Sequence, residues 1–246
     1  MRCAPPSVSP FGATPRSDPA PVAPPTAGAT APGPRRGYFL PEDIAADRWV
    51  HLTALILCTV GIPFLLRLAG RAGGTAFAGC VVYSITLVVM FACSTAFYHV
   101  PLRIERRRLR QFDHAAIFLL IAGTYTPFTF GLLQGPPAGA ITALIWLGAL
   151  AGAIDKLARP LPFPGFSASG YVIFGGIALI GLPPVLHAVT GVSVILIVAG
   201  LSIYGLGATL RRRRSLRYRN TIWHCMVVAG AACHYAAIVH GVVLAR

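Results

Sequence analysis

Residues 76–99 read AFAGCVVYSITLVVMFACSTAFYH, a run of 24 positions with no ionisable carboxylate, lysine or arginine. A helix rises ~1.5 Å per residue, so such a run crosses the ~30 Å hydrocarbon layer of a bilayer. A basic loop follows directly at residues 100–112, carrying Arg103, Arg106, Arg107, Arg108 and Arg110. An apolar run ending in an arginine cluster is the pattern of a membrane span and its anchored flank. Six more stretches meet the same length, at 49–69, 113–133, 139–157, 167–185, 186–209 and 221–244. The sequence therefore predicts an all-α integral membrane protein, a seven-transmembrane helix bundle. A tight turn over Gly181–Pro184 and His187 must separate the fifth and sixth spans.

Composition agrees, with 55% hydrophobic and 11% charged residues excluding an ordinary soluble fold. A net charge of +14 suggests nucleic acid in a soluble domain, but here the arginines flank apolar runs. Membrane lipids are the expected partners; nucleic acid is not, and no protein partner is identifiable. Five of the six cysteines (Cys58, Cys80, Cys93, Cys225 and Cys233) fall in apolar runs and Cys3 in the tail, so they read as reduced packing residues rather than a disulfide framework. Residues 1–37 hold ten of the 21 prolines and cannot bury a core. The expected organisation is a disordered cytoplasmic tail over 1–40 and a membrane domain over 41–246. The tail lacks the apolar stretch of a secretory signal, so the first membrane segment begins near Trp49.

Loop charges orient the bundle. Eighteen of the 21 Lys and Arg residues fall on one side: the tail through Arg48, the loop 100–112, Lys156 with Arg159, and 211–219. Arg67, Arg71 and Arg246 lie on the other. The positive-inside rule then places the N-terminus in the cytoplasm and the C-terminus outside, in a multi-pass protein of the plasma membrane. Trp49, Tyr98, Tyr218 and Trp223 fall where an aromatic belt is expected on the cytoplasmic side. Gly148 and Gly152, and the alanines of the seventh span (Ala229, Ala231, Ala232, Ala236 and Ala237), suit close helix packing.

Ionisable groups inside a membrane are expensive, so those present are candidates for function. Thr95 and His99 lie four apart on one face of the second span, at its cytoplasmic end. Asp113 opens the third span at the same depth, His224 sits one turn inside the seventh, and His51 is similarly placed in the first. Imidazole, carboxylate and hydroxyl groups at one level suit a metal site in which His binds zinc and a carboxylate acts on a bound water. Taken singly, each is also an ordinary interfacial polar group. His234 lies ten residues past His224, ~15 Å deeper and ~80° around the helix, and reads as a helix–helix hydrogen-bond partner. His187 and His240 fall near the outer surface, and His114 is expected to face headgroups.

At these residues the chain resembles the hemolysin III family, the bacterial branch of the progestin and adipoQ receptor superfamily. STAFYHV at 94–100 resembles the second-span motif, FDHAAIFLLIAGTYTPF at 112–128 the third-span signature, and IWHCMVVAGAACHYAAI at 222–238 the seventh. PEDIAADRWVH at 41–51 is a looser match to the segment leading into the first span. The resemblance implies seven helices with the N-terminus inside, and by analogy with the adiponectin receptors a zinc ion held by three histidines. It assigns His99 and His224 as metal ligands, Asp113 as the catalytic carboxylate and Thr95 as the hydroxyl beside the metal-bound water. The third histidine position is Asn220, an amide that replaces imidazole poorly on zinc. Asp113 or His51 completes the shell, or metal binds weakly, or the fold persists without it. Three functions follow as expectations: a zinc-dependent hydrolase of membrane lipid amides or esters, a noncatalytic membrane-homeostasis or lipid-sensing protein, or a cytolytic pore former.

Overall fold

The computed structural model describes Met1 and residues 41–99, 105–133, 135–158, 168–180, 189–213 and 215–245, the helices belonging to one compact unit, Phe39–Arg246. The expectations for the proline-rich tail, Cys3, Arg103, Arg159, His187 and the Gly181–Pro184 turn lie outside the described residues. Seven helices are described: α1 (Pro41–Ala72), α2 (Gly74–His99), α3 (Glu105–Leu132), α4 (Pro136–Ala158), α5 (Ala168–Ile180), α6 (Gly191–Arg212) and α7 (Arg219–Ile238). The last continues into a π-helical turn, Val239–Val243. All but α5 are long and apolar enough to cross a membrane, and α5 has 13 described residues within the predicted 167–185 span.

Two helices begin well ahead of the predicted starts at 49 and 113. Helix α1 opens at Pro41, where proline's missing N–H has no intrahelical acceptor to leave unsatisfied. Helix α3 opens at Glu105 and takes in Arg107–Arg110, since arginine is a good helix former and a span need not end where the hydrocarbon does. Asp113 therefore lies two turns inside α3 rather than at its opening, and Asp47 lies inside α1.

The most extensive packing joins α2 to α3, and backbone proximity is its cause. A Cβ on Gly79 would come within 2.8 Å of the Pro127 Cα, and one on Gly123 would overlap the Thr86 hydroxyl. Around Pro127, which breaks the α3 hydrogen-bond ladder, threonines return bonds to the backbone: Thr126 Oγ1 donates to the Ala122 carbonyl at 2.8 Å, and Trp146 Nε1 of α4 donates to Thr126 Oγ1 at 3.1 Å. The glycine face of α4 forms as the sequence suggests, with Phe118 of α3 over Gly152 and Phe174 of α5 over Gly148. In α7 the alanine set divides: Ala231 and Ala237 are buried, whereas Ala229 and Ala232 are exposed. Helix α7 packs on both α6 and α1, bringing the two ends of the domain together. Large apolar side chains such as Ile56, Val60 and Phe64 on α1, Leu144 and Leu147 on α4, and Ile195 on α6 are left facing outward, as lipid contact requires.

Candidate functional site

Four polar side chains are buried near the starts of α1 and α7: Asp47, at 1% exposure, His51, Asn220 and His224. Asp47 and His51 are one turn apart on α1, and Asn220 and His224 one turn apart on α7, so each pair shares a helix face. Nδ1 of His224 lies 3.1 Å from Oδ1 of Asp47. Nδ1 of His51 lies 2.7 Å from the Asp47 backbone carbonyl. Carbonyl and carboxylate oxygens accept, so in both rings Nδ1 carries the donated proton. The two imidazoles pack with centroids 4.5 Å apart, and Tyr98 of α2 stacks on His51 at 5.0 Å and meets His224 edge-on at 4.9 Å. Arg48 Nε donates to the Tyr98 carbonyl at 3.3 Å, tying α1 to the end of α2. Two acceptors, Asp47 Oδ2 and Asn220 Oδ1, are buried with no hydrogen-bond partner.

A second pair joins α2 and α3. Ser94 Oγ donates to Asp113 Oδ1 at 2.5 Å, and His114 Nδ1 lies 3.5 Å from Asp113 Oδ2. These groups and His224 line one end of a cavity between α2, α3, α5, α6 and α7. Arg211 lines it too, its guanidinium 5.5 Å from the Trp223 ring centroid. Farther in, the walls are mainly apolar, with Ile121, Val172, Ile197 and Leu201, and His234 lies among them.

The Haemolysin-III related family profile matches residues 45–235. The chain belongs to this family. It is similar to Hemolysin-3 of Bacillus cereus, 30% identical over 83% of this chain and 93% of that one. Its similarity to the Hemolysin-3 homolog of Bacillus subtilis is 25% over 82% and 94%, and to the Homo sapiens Monocyte to macrophage differentiation factor 26% over 83% and 87%.

For this Haemolysin-III related chain the structure separates the residues singled out in the sequence. His51 and His224 meet at Asp47, Asn220 is buried one turn before His224, and Asp113 meets Ser94. Thr95 donates instead to the Phe91 carbonyl of its own helix at 2.7 Å, because adjacent positions on a helix face ~100° apart and Ser94 is the one turned to α3. His99 is exposed at the end of α2, its Nδ1 donating to the Thr95 carbonyl at 2.9 Å. Zinc sites need three or four converging donors at ~2.0–2.3 Å. Among the described residues no three His, Cys, Asp or Glu side chains are grouped to hold a metal ion. The buried Asn220 oxygen, in the position where the resemblance requires an imidazole, is part of the same disagreement. The side chains as arranged do not fit the three-histidine zinc set.

Several local expectations are corrected. Tyr98 and Trp223 are buried wall residues rather than parts of an aromatic belt, since their rings close the space over His224 and beside Arg211; Trp49 is 70% exposed, as a belt residue should be. His114 lines the cavity rather than facing headgroups, its Nδ1 donating to the Arg110 carbonyl at 2.8 Å. His234 makes no helix–helix bond through Nε2, which has no partner. Sequence reasoning missed Asp47, Ser94 and Tyr98 as site residues. The signal for Asp47 was present: a carboxylate one turn before His51, just ahead of an apolar run.

Proposed function

We propose that this protein is a noncatalytic lipid-binding, membrane-homeostasis member of its family. In this reading it sits in the plasma membrane with its N-terminus in the cytoplasm and its C-terminus outside. The observation that carries the reading is the cavity, with apolar walls suited to an acyl chain and with Ser94, Asp113 and His224 gathered at one end for a polar headgroup. Asp113 accepts and the Arg211 guanidinium beside Trp223 donates, which favours a headgroup that carries both hydroxyl or amide donors and acceptor oxygens. The 18-to-3 distribution of Lys and Arg supports the orientation. The test is native mass spectrometry of the purified protein. One bound single-chain lipid is expected in the natural chain, and its loss is expected when Leu201→Trp fills the cavity. A lipid-free natural chain, or a Trp variant that retains the lipid, would refute the reading.

A hydrolytic reading is favoured by one feature, the Asp47–His224 pair. A carboxylate holding Nδ1–H leaves Nε2 to take a proton from water, as a general base does. No step in it needs a metal. It requires that the protein release product from a lipid amide or ester and that His224→Gln abolish the release. Unchanged lipid after prolonged incubation would sink it. A cytolytic pore is disfavoured, because the cavity walls beyond the polar end are mainly apolar whereas a conducting path needs polar groups along its length.

A further inference from the structure

The polar end of the cavity holds two opposite charges that face it and are not paired with each other. Arg211 stands in the last turn of α6 and lines the cavity, partly exposed. Its guanidinium lies 5.5 Å from the Trp223 ring centroid, within cation–π range. The indole has no oxygen to accept from it, so the N–H donors of the guanidinium stay available. Among the described residues no carboxylate lies within ion-pair distance of Arg211. Asp113 of α3 lines the same cavity with 13% of its side chain exposed. Its Oδ1 accepts from Ser94, while Oδ2 lies 3.5 Å from a His114 Nδ1 that already donates to the Arg110 carbonyl. No lysine or arginine among the described residues pairs with it.

An unpaired charge in or beside a membrane is costly, and a partner of opposite sign relieves it. A guanidinium with available donors matches the oxygens of a phosphate, which it can bind in bidentate fashion. A carboxylate oxygen with room to accept matches an ammonium group. A ligand with phosphate alone satisfies Arg211 but meets the like charge of Asp113, and a ligand with ammonium alone does the reverse. A headgroup that carries both, joined by a short carbon bridge, satisfies the two at once. Farther in, the apolar walls, among them Ile121, Ile197 and Leu201, suit an acyl chain as the rest of the ligand.

We infer that this end of the cavity is a zwitterion site, at which Arg211 takes the phosphate and Asp113 the primary ammonium of an aminoalkyl phosphate, so that the preferred ligand is a single-chain phospholipid with an ethanolamine-type headgroup. The inference rests on the lipid-binding reading and adds the charge of the headgroup to it. Ser94 then positions the Asp113 carboxylate, and Trp223 the guanidinium.

The experiment is a binding titration of the full chain, purified in a neutral detergent, with three probes that share an oleoyl chain: glycerol monooleate, lysophosphatidylglycerol and lysophosphatidylethanolamine. Hydrogen bonds to charged groups correspond to a preference of roughly ten- to hundredfold for the ethanolamine probe over glycerol monooleate. Lysophosphatidylglycerol, with phosphate but no ammonium, should bind less tightly than the ethanolamine probe. Arg211→Gln should weaken both phospholipids relative to glycerol monooleate, and Arg211→Lys, which keeps the charge, should retain part of their affinity. Asp113→Asn should erase the difference between the two phospholipids. Unfolding by SDS in mixed micelles checks that each variant is folded. Free ethanolamine phosphate should not displace the bound lipid, and displacement at equal concentration would overturn an acyl lipid as the ligand. Equal affinity of the natural chain for the ethanolamine probe and either of the others, or a preference that survives both Arg211→Gln and Asp113→Asn, overturns the inference and leaves the lipid-binding reading standing. Failure of the natural chain to bind any of the three overturns both.

Discussion

Removing the Asp47 carboxylate tests the buried join between the first and last helices. Asp47 is 1% exposed and its Oδ1 accepts from His224 Nδ1 at 3.1 Å, so in Asp47→Ala the imidazole keeps a buried N–H with nowhere to donate. Hydrogen bonds between helices in membranes average ~0.6 kcal/mol and reach ~1.7. An ionised acceptor roughly doubles a hydrogen bond's strength, and an orphaned buried donor adds its own penalty, so the loss should be about 2 to 3 kcal/mol. Asp47→Asn keeps an acceptor oxygen without the charge and should lose about 1 kcal/mol. His51 bonds to the backbone carbonyl of residue 47, which neither substitution removes, so the effect reads the His224 contact. The assay is reversible unfolding in mixed micelles by SDS titration, completed as a double-mutant cycle with His224→Ala. A coupling of about 1 to 2 kcal/mol is expected for residues in direct contact. Equal losses for the Ala and Asn variants, together with coupling below about 0.5 kcal/mol, would refute the pair as a structural element.

Ser94→Ala breaks the bond to Asp113 and should destabilise the α2–α3 contact by about 1 to 2 kcal/mol, whereas Thr95→Ala removes only a bond within its own helix and should stay within about 0.5 kcal/mol. The same micelle unfolding assay separates them, and the reverse order would mean that the hydroxyl facing α3 belongs to Thr95. Gly123→Ala drives a methyl into Thr86 and should cost about 1 to 3 kcal/mol, with part of the loss recovered by adding Thr86→Ala, which removes the hydroxyl but leaves a Cβ 2.9 Å from the new methyl; absence of recovery would place the clash elsewhere. Elemental analysis of the purified chain should find zinc well below one ion per molecule and unchanged by His99→Ala. One zinc per chain, lost in both His99→Ala and His224→Ala, would show that the exposed His99 ring swings inward on metal binding. Vesicles loaded with dye should stay sealed when they carry the protein, and leakage would return the pore to consideration.

The bundle was legible because its determinants are coarse: length of apolar run, arginine at the flanks, glycine where helices touch. Six helices of spanning length appear where such runs predicted them. The site was legible at the level of segments and illegible at the level of neighbours. Ser94 and Thr95 differ by one position, and no property of either residue says which faces α3; the rotation of α2 against α3 does, and that is set by Gly79 against Pro127 and Gly123 against Thr86. A residue-by-residue transfer of a motif inherits its spacing but not this rotation. The third-ligand position makes the same point in chemical terms. With Asn220 where imidazole is required, His224 lacks a metal-binding neighbour on its own helix face, and in the structure its Nδ1 is held by Asp47 from α1. The carboxylate that orients His224 thus comes from the loosest part of the sequence resemblance, residues 41–51. A buried carboxylate that loses its hydrogen-bond partner is more costly in a membrane than in water, so with Asp47 at 1% exposure the His224 contact contributes to the stability of this chain. The loss on removing His224 should therefore be smaller when Asp47 is replaced as well, a dependence that neither the segment pattern nor the motif contains.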